Sequence, residues 1–188
     1  MDSAMFNQLR KNLQAIFLFL LAISVSIALT GCMPKVEKTE FNGVSASTLN
    51  KPNVPMSTVL VWANEAAAAV YSYDFVTYQK QLQTASQYFT PEGWQTYMTA
   101  LTASGNLDKV VAHKMVVSAV DTGAPIILSQ GELAGRYSWK VQMPLLVTYQ
   151  NASIYQEQHL VITMLIVRTS PIENTRGLGI QQFVASVK

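Results

Sequence analysis

The sequence has little of the chemistry from which most catalytic and metal sites are built. Its 188 residues contain one cysteine and two histidines, and only 13% of them are charged. One cysteine excludes a disulfide within the chain, and the Cys and His side chains are too few for a four-ligand structural zinc site. Because 49% of the residues are hydrophobic, the composition indicates a packed domain and excludes a highly charged disordered chain.

Clusters of positive charge are also missing. The basic residues of the body of the chain are scattered from Lys35 to Lys188, and the formal net charge is only +2. A protein that binds nucleic acid neutralises phosphates with a concentrated basic surface. The sequence therefore predicts no nucleic-acid partner.

Motifs for catalysis are absent as well. Gly177-Leu178-Gly179 lacks the preceding strand and following helix of a phosphate-binding loop, and no serine lies in a G-x-S-x-G elbow. His113 and His159 occur in polar segments that are typical of surface positions. Glu65 and Asp74 could be compared with the acid and base carboxylates of a glycosidase. They are nine residues apart on or near one helix and so lie on different turns, which favours two separate, solvent-exposed carboxylates. We therefore expect a protein that is not an enzyme and holds no cofactor or metal.

What the chain does have is an N-terminus typical of a bacterial lipoprotein. The apolar run 15–29 follows Arg10 and Lys11, and it is shorter than the roughly 20 residues of a membrane span. It ends in Leu29-Thr30-Gly31-Cys32, which resembles the lipobox, where small residues precede a cysteine that becomes lipidated after cleavage. The motif predicts a signal peptide over residues 1–31 and a lipid on Cys32.

The anchor has an alternative interpretation, in which an uncleaved helix over residues 12–33 crosses a thin bilayer with some tilt. If the chain is a lipoprotein, Met33 in place of Asp after the cysteine implies release to the outer membrane in preference to the inner one. Both interpretations place the bulk of the chain in the periplasm.

A polar segment separates this N-terminus from the domain. Residues 32–56 contain Pro34, Pro52 and Pro55 and little apolar periodicity, which predicts a flexible, extended tether. One domain over residues 57–188 then accounts for the rest of the chain.

Helical periodicity fills the first half of this domain. Ser57 predicts the N-cap of a first helix, which breaks near Tyr73-Asp74, and a second periodic stretch follows. Thr90-Pro91 predicts the cap and first residue of another helix, and Gly105 predicts its end. A short further turn precedes the change to alternating, β-type periodicity.

The second half predicts strands, near residues 115–121, 125–130, 137–150, 153–169 and 180–187. Alternation in the long third strand assigns Trp139 to the core, and Pro144 predicts a bulge or an edge segment because proline cannot donate to a ladder. Asn151-Ala152 predicts a hairpin turn. Helices followed by an antiparallel sheet indicate an α+β domain with the helices on one face of a curved sheet.

Aromatic residues are concentrated in the predicted helical layer. Most such residues fill the space between helices and sheet, but Tyr and Trp are also enriched at protein interfaces. We therefore name Trp62, Tyr78 and Trp94 as a candidate interface for contacts between subunits.

Several separated strings in the domain resemble one known family. They are Val61-Trp62-Ala63-Asn64-Glu65-Ala66-Ala67, Tyr71-Ser72-Tyr73-Asp74-Phe75, Tyr88-Phe89-Thr90-Pro91-Glu92-Gly93-Trp94, Val117-Ser118-Ala119-Val120 and the strand 137–149. In this order they resemble the DotI/IcmL family of type IVB (Dot/Icm) secretion systems, which includes the conjugation protein TraM. The resemblance covers residues 57–187.

The resemblance implies a nuclear-transport-factor-2-like fold, with helices on the concave side of a curved antiparallel sheet. It also implies a structural or assembly role in a secretion or conjugation apparatus, through contacts with other subunits in homo- or hetero-oligomers of related domains. Usual members are held in the inner membrane by a transmembrane helix, so the lipobox is a departure. The alternative function is an envelope lipoprotein that binds a small ligand in the cone-shaped fold.

Overall fold

Helices precede a curled antiparallel sheet in the computed structural model, which describes residues 49–188. The predicted signal peptide, Cys32 and most of the tether lie outside these residues. In chain order the elements are α1 (Met56–Val70), β1 (Tyr73–Asp74), α2 (Tyr78–Ala85), a 3₁₀ turn (Ser86–Tyr88), α3 (Pro91–Ser104), α4 (Asn106–Ala112), β2 (Val116–Asp121), β3 (Ile126–Leu133), β4 (Arg136–Gln150), β5 (Tyr155–Arg168) and β6 (Leu178–Val187). The predicted α+β class is confirmed.

The sheet is organised around the two long strands β4 and β5. Its order is β1-β2-β4-β5-β6, and β3 also pairs with β4. Strands β2 and β3 share one edge of β4, since β2 pairs with residues 145–150 and β3 with residues 136–142. The predicted hairpin joins β4 to β5, where the Asn151 side-chain oxygen accepts bonds from the amides of Ser153 and Ile154.

Pro144 lies in the gap between the two partners of β4. Its carbonyl accepts a bond from the amide of Thr122, just beyond β2, while its pairing with Val161 of β5 continues without a bulge. The missing amide hydrogen therefore faces a point where no strand pairs with β4. Of the two predicted alternatives, a bulge or an edge segment, the structure has the edge segment. β4 is a central strand, but at Pro144 it is paired on one side only.

Helix α3 is fixed to β6 by a close approach of two backbones. The Thr90 hydroxyl accepts from the Gly93 amide, and Pro91 occupies the first turn, as predicted. A Cβ on Gly93 would lie 2.1 Å from the carbonyl oxygen of Ile180, so only glycine permits this packing. The helix ends at Gly105 with a φ of 65°, as predicted.

The beginning of α1 differs from the prediction, as does the short strand after its end. Pro55, and not Ser57, occupies the N-cap, and its carbonyl accepts from Thr58 and Val59 while no side chain caps the helix. After the predicted break, Tyr73 and Asp74 form a two-residue strand that pairs with β2. A strand of two residues forms because its partner strand is present. It is too short to show a periodicity that would predict it from the sequence.

The core lies between the helices and the concave face of the sheet. Trp139, predicted to be buried, is 1% exposed. The largest fully buried side chains are Trp139, Met143, Leu145, Ile162, Met164, Ile166, Leu178 and Ile180. The alternation predicted one face of β4 from Tyr137 to Tyr149; every second residue from Trp139 to Tyr149 is buried, whereas Tyr137 is half-buried.

The last residues of the predicted tether contact the domain. The Leu49 carbonyl accepts from the Tyr137 amide at 2.7 Å, and Arg168 donates to the Lys51 carbonyl at 2.7 Å. The side chain of Asn53 donates to the Gly177 carbonyl. The chain therefore joins the domain at the end of the sheet where β4 begins and β5 ends. Among residues 49–188, no helix is long and apolar enough to span a membrane.

Candidate interaction site

The three residues of the candidate interface differ in accessibility. Trp62 is only 3% exposed, and its ring packs against Tyr88 with a centroid distance of 5.5 Å. Tyr78 and Trp94 remain partly exposed on α2 and α3. A partner can therefore reach Tyr78 and Trp94, whereas Trp62 belongs to the core, and the interface itself stays a prediction.

Trp94 is the outer member of an aromatic cluster that joins α3 to β6. Its ring stacks on Tyr97 with a centroid distance of 5.5 Å and meets Phe89 edge-on at 5.3 Å. Phe183 of β6 lies 5.6 Å from Tyr97 and 6.0 Å from Phe89. Such pairs add about 0.5–1.5 kcal/mol each beyond area burial, so Trp94 is held rigidly at the surface.

Four tyrosines converge on a cleft beside this cluster. They come from four places in the fold: Tyr71 caps α1, Tyr73 is in β1, Tyr97 is in α3 and Tyr149 is in β4. The cleft has a volume of about 230 Å³, and its wall is completed by Phe183 and by short polar and aliphatic side chains of α3, α4, β5 and β6.

Burial, and to a smaller extent their mutual proximity, raises the pKa values of these tyrosines. Burial is the main cause that raises the pKa of Tyr71, Tyr73, Tyr97 and Tyr149 above 10. For Tyr71 and Tyr73 the nearby phenol of Tyr149 raises the pKa further. All four groups are therefore neutral at physiological pH and present hydroxyls, not phenolates.

The acidic residues weighed in the sequence do not come together. Glu65 pairs with Arg176 at 2.6 Å on the surface. Asp74 accepts bonds from the Thr77 hydroxyl and from the amides of Thr77 and Val76, and these bonds lower its pKa. Each carboxylate has a local structural role, which agrees with the prediction of solvated charges.

The two histidines also lie apart. His113 is exposed at the end of α4, where its carbonyl accepts a bond from the Asn151 side chain. His159 is exposed on β5 opposite Leu146. In the part of the chain that the structure describes, no group of three Cys, His, Asp or Glu residues is placed to hold a metal ion.

A second surface, the outward face of the sheet, was missed in the sequence. Val116 and Val120 of β2 are 42% and 57% exposed, and Val184 of β6 is 46% exposed. Between them Leu146 pairs with Val120 across the strands and is half-buried. The signal was the pattern of β2, in which Val116 and Val120 lie on the face opposite the buried Val117.

Comparison with known proteins identifies the family. The family model for DotI/IcmL, an inner-membrane complex component of type IVb secretion systems, matches residues 34–187. The chain belongs to this family. The predicted resemblance is therefore confirmed, and the match begins before the residues that the structure describes.

Solved structures of the family share the fold. The periplasmic domain of DotI is 54% identical, with a TM-score of 0.71 over 72% of this chain and 98% of that one. An IcmL-like type IV secretion protein from Legionella pneumophila is 29% identical, with a TM-score of 0.67 over 73% and 96%. A periplasmic fragment of TraM is 26% identical, with a TM-score of 0.66 over 71% and 98%. Comparison with curated protein sequences gave no significant match.

Proposed function

We propose that the chain is a non-enzymatic structural component of a type IVB secretion or conjugation apparatus, and that its domain acts in the periplasm through protein contacts. The observation that carries the proposal is the family match over residues 34–187. The 54% identity to the periplasmic domain of DotI supports the compartment. The partners are other subunits of the apparatus, including related domains in a homo- or hetero-oligomer.

Tyr78 and Trp94 are the proposed contact residues on the helical side. Trp94 suits this role because its ring is partly exposed yet held by Phe89 and Tyr97, so little conformational entropy is lost when a partner covers it. Aromatic anchors of this kind contribute most to binding at protein interfaces.

The proposed attachment is a lipid on Cys32 after cleavage behind residue 31. Met33 at the next position favours transfer of such a lipoprotein to the outer membrane. This would set the chain apart from the inner-membrane complex that gives the family its description. A lipoprotein that retains the domain would still present the same surfaces to the periplasm.

The contact proposal is tested by affinity purification of the tagged full chain from cells that carry the secretion system. Quantitative mass spectrometry measures the co-purified subunits for wild type, Tyr78→Ala and Trp94→Ala. Tyr155→Ala is the matched control, because Tyr155 is 66% exposed at the start of β5. We expect a loss of at least threefold for Trp94→Ala and a smaller loss for Tyr78→Ala. Unchanged recovery with both variants correctly folded would reject the helical side as the interface.

The alternative, a ligand-binding lipoprotein that uses the interior of the cone, is less well supported. Trp139, Met143 and Ile162 fill the concave side with apolar atoms and are at most 1% exposed. This interior resembles a packed core, in which polar ligands find few partners. A ligand-binding site is therefore better sought in the tyrosine-lined cleft than in the interior of the cone.

A further inference from the structure

The tyrosine-lined cleft has hydrogen-bonding capacity that the fold does not use. Tyr73, Tyr97 and Tyr149 are each at least 92% buried, yet within residues 49–188 no hydroxyl of these three or of Tyr71 has a hydrogen-bond partner. A buried phenol ordinarily finds a partner, because an unpaired hydroxyl is unfavourable. The oxygens are not enclosed by protein atoms, so they open to the water of the clefts that these residues line.

The wall of the cleft restricts the charge of a ligand. Its lining contains no Asp, Glu, Lys, Arg or His side chain among the described residues. A charged ligand would lose hydration there without gaining an opposite charge. The tyrosines are neutral, so they can both donate and accept bonds, and Ser104, Asn106 and Gln158 add further donors and acceptors.

The volume of the cleft and the number of polar side chains around it restrict the chemical class of the ligand further. A volume of about 230 Å³ is below the range of about 300–1,000 Å³ that holds drug-sized ligands. Seven polar side chains around so small a volume exceed what a peptide backbone can match, since it offers one donor and one acceptor per residue. A sugar ring carries an oxygen on nearly every carbon and also has apolar C–H faces that suit Phe183, Leu101 and Leu160.

We propose that the cleft formed by Tyr71, Tyr73, Tyr97 and Tyr149 binds one uncharged sugar unit of a glycan. Ring packing positions two of the four tyrosines before binding, since Tyr97 contacts Phe89 and Phe183 and Tyr71 contacts Phe183. The ligand would therefore meet a preformed site. This site adds a glycan contact to the domain and does not depend on the proposed contacts with secretion subunits.

The test uses the full chain extracted in a polyoxyethylene detergent, because alkyl-maltoside detergents carry a competing sugar. Saturation-transfer NMR is recorded with the neutral probes tri-N-acetylglucosamine and maltotriose at concentrations up to tens of millimolar. We expect saturable binding of at least one probe, with a dissociation constant on the order of 1 mM for so small a site. No saturable binding of either probe overturns the proposal.

Variants that remove single hydroxyls separate this site from adventitious binding. Tyr97→Phe and Tyr149→Phe retain the rings and should each weaken binding at least threefold, and the double variant at least tenfold. Tyr137→Phe is the matched control, because Tyr137 packs on Trp139 and does not line the cleft. The proposal is contradicted if Tyr97→Phe, Tyr149→Phe and the double variant all bind the sugar as the wild type does. It is also contradicted if a proline-rich peptide displaces the sugar and binds with higher affinity than the sugar.

The folding of the variants is checked by thermal unfolding. Because the Tyr97 and Tyr149 hydroxyls have no protein partner, their removal should leave the melting temperature unchanged or higher. Weaker sugar binding at an undiminished melting temperature would separate a ligand-binding role from a structural one. A melting temperature that falls by several degrees would show that the hydroxyls serve the fold, and would overturn the proposal.

Discussion

At the scale of single residues, the raised pKa values of the cleft tyrosines predict that stability falls at alkaline pH. Their pKa values are raised in the folded state, chiefly by burial, above the value of 10 expected in the unfolded chain. A raised pKa favours folding below the unfolded pKa, and this advantage is lost as pH rises further. Below pH 10 the tyrosines are neutral in both states and add no pH dependence.

We therefore expect the free energy of unfolding to fall above pH 10. Each buried tyrosine contributes at most about 1.4 kcal/mol per pH unit, because only the unfolded chain releases its proton there. Denaturant unfolding followed by circular dichroism at pH 8, 10 and 11 measures the slope. Tyr73→Phe should reduce the slope, whereas Tyr137→Phe, on a side chain that does not line the cleft, should leave it nearly unchanged. An equal slope for wild type and Tyr73→Phe would contradict the assignment.

At the scale of elements, the contact between α3 and β6 holds the helical layer against the sheet. Besides the close approach at Gly93, the Thr90 amide donates to the Ile180 carbonyl at 3.0 Å. A side chain at position 93 would push the helix from the strand and disturb the aromatic cluster behind it.

Gly93→Ala should therefore destabilise the protein by about 3 kcal/mol or more, although alanine is the better helix former. Thr99→Ala on the exposed side of the same helix is the control and should change stability by less than about 0.5 kcal/mol. Chemical unfolding gives both values. A Gly93→Ala protein as stable as the wild type would show that α3 can shift without cost.

The elements also show what sequence reasoning could predict. Local signals located Thr90-Pro91, the end of α3 at Gly105 and the turn at Asn151, because each depends on a few neighbouring residues. The sharing of one edge of β4 by β2 and β3 was not predictable, since it depends on pairing between residues more than 20 positions apart, such as Val120 with Leu146. Register across such distances is set by the whole sheet.

In the candidate site, too, features that depend on neighbouring residues were predictable and features that depend on distant contacts were not. The strings around Tyr71 and Trp94 marked aromatic density, and partial exposure of Trp94 agrees with the candidate interface. The burial of Trp62 agrees with the more common role of aromatic residues in a helical layer, which is to fill the space between helices and sheet, and not with the candidate interface. The sequence could not bring Tyr149 beside Tyr71, since nearly 80 residues and most of the sheet separate them.

At the scale of the whole molecule, the described domain has two accessible apolar surfaces. One surface is the helical side around Trp94, and the other is the outward face of the sheet around Val120. Two surfaces on opposite sides of one sheet suit a subunit that has neighbours on both sides. The proposed attachment at the N-terminus would decide which membrane those neighbours share.

Intact-protein mass spectrometry of the detergent-extracted membrane fraction measures the attachment directly. We expect a mass that corresponds to cleavage before Cys32 plus lipid, and we expect the modification to be lost in Cys32→Ser. Density-gradient separation of the two membranes should then place the wild-type chain in the outer-membrane fraction. An uncleaved, unmodified mass would instead identify residues 12–33 as the anchor and would place the chain with the usual members of its family.

The bonds of residues 49–53 to the sheet have a mechanical consequence. A pull along the N-terminal chain reaches these bonds, at Tyr137, Arg168 and Gly177, before it reaches α1. Force along the N-terminal chain would thus enter at the ends of β4 and β5, which are the longest strands and are paired over 13 residues. These bonds would therefore carry the load first, and the helices and the tyrosine-lined cleft would be loaded only after the bonds break.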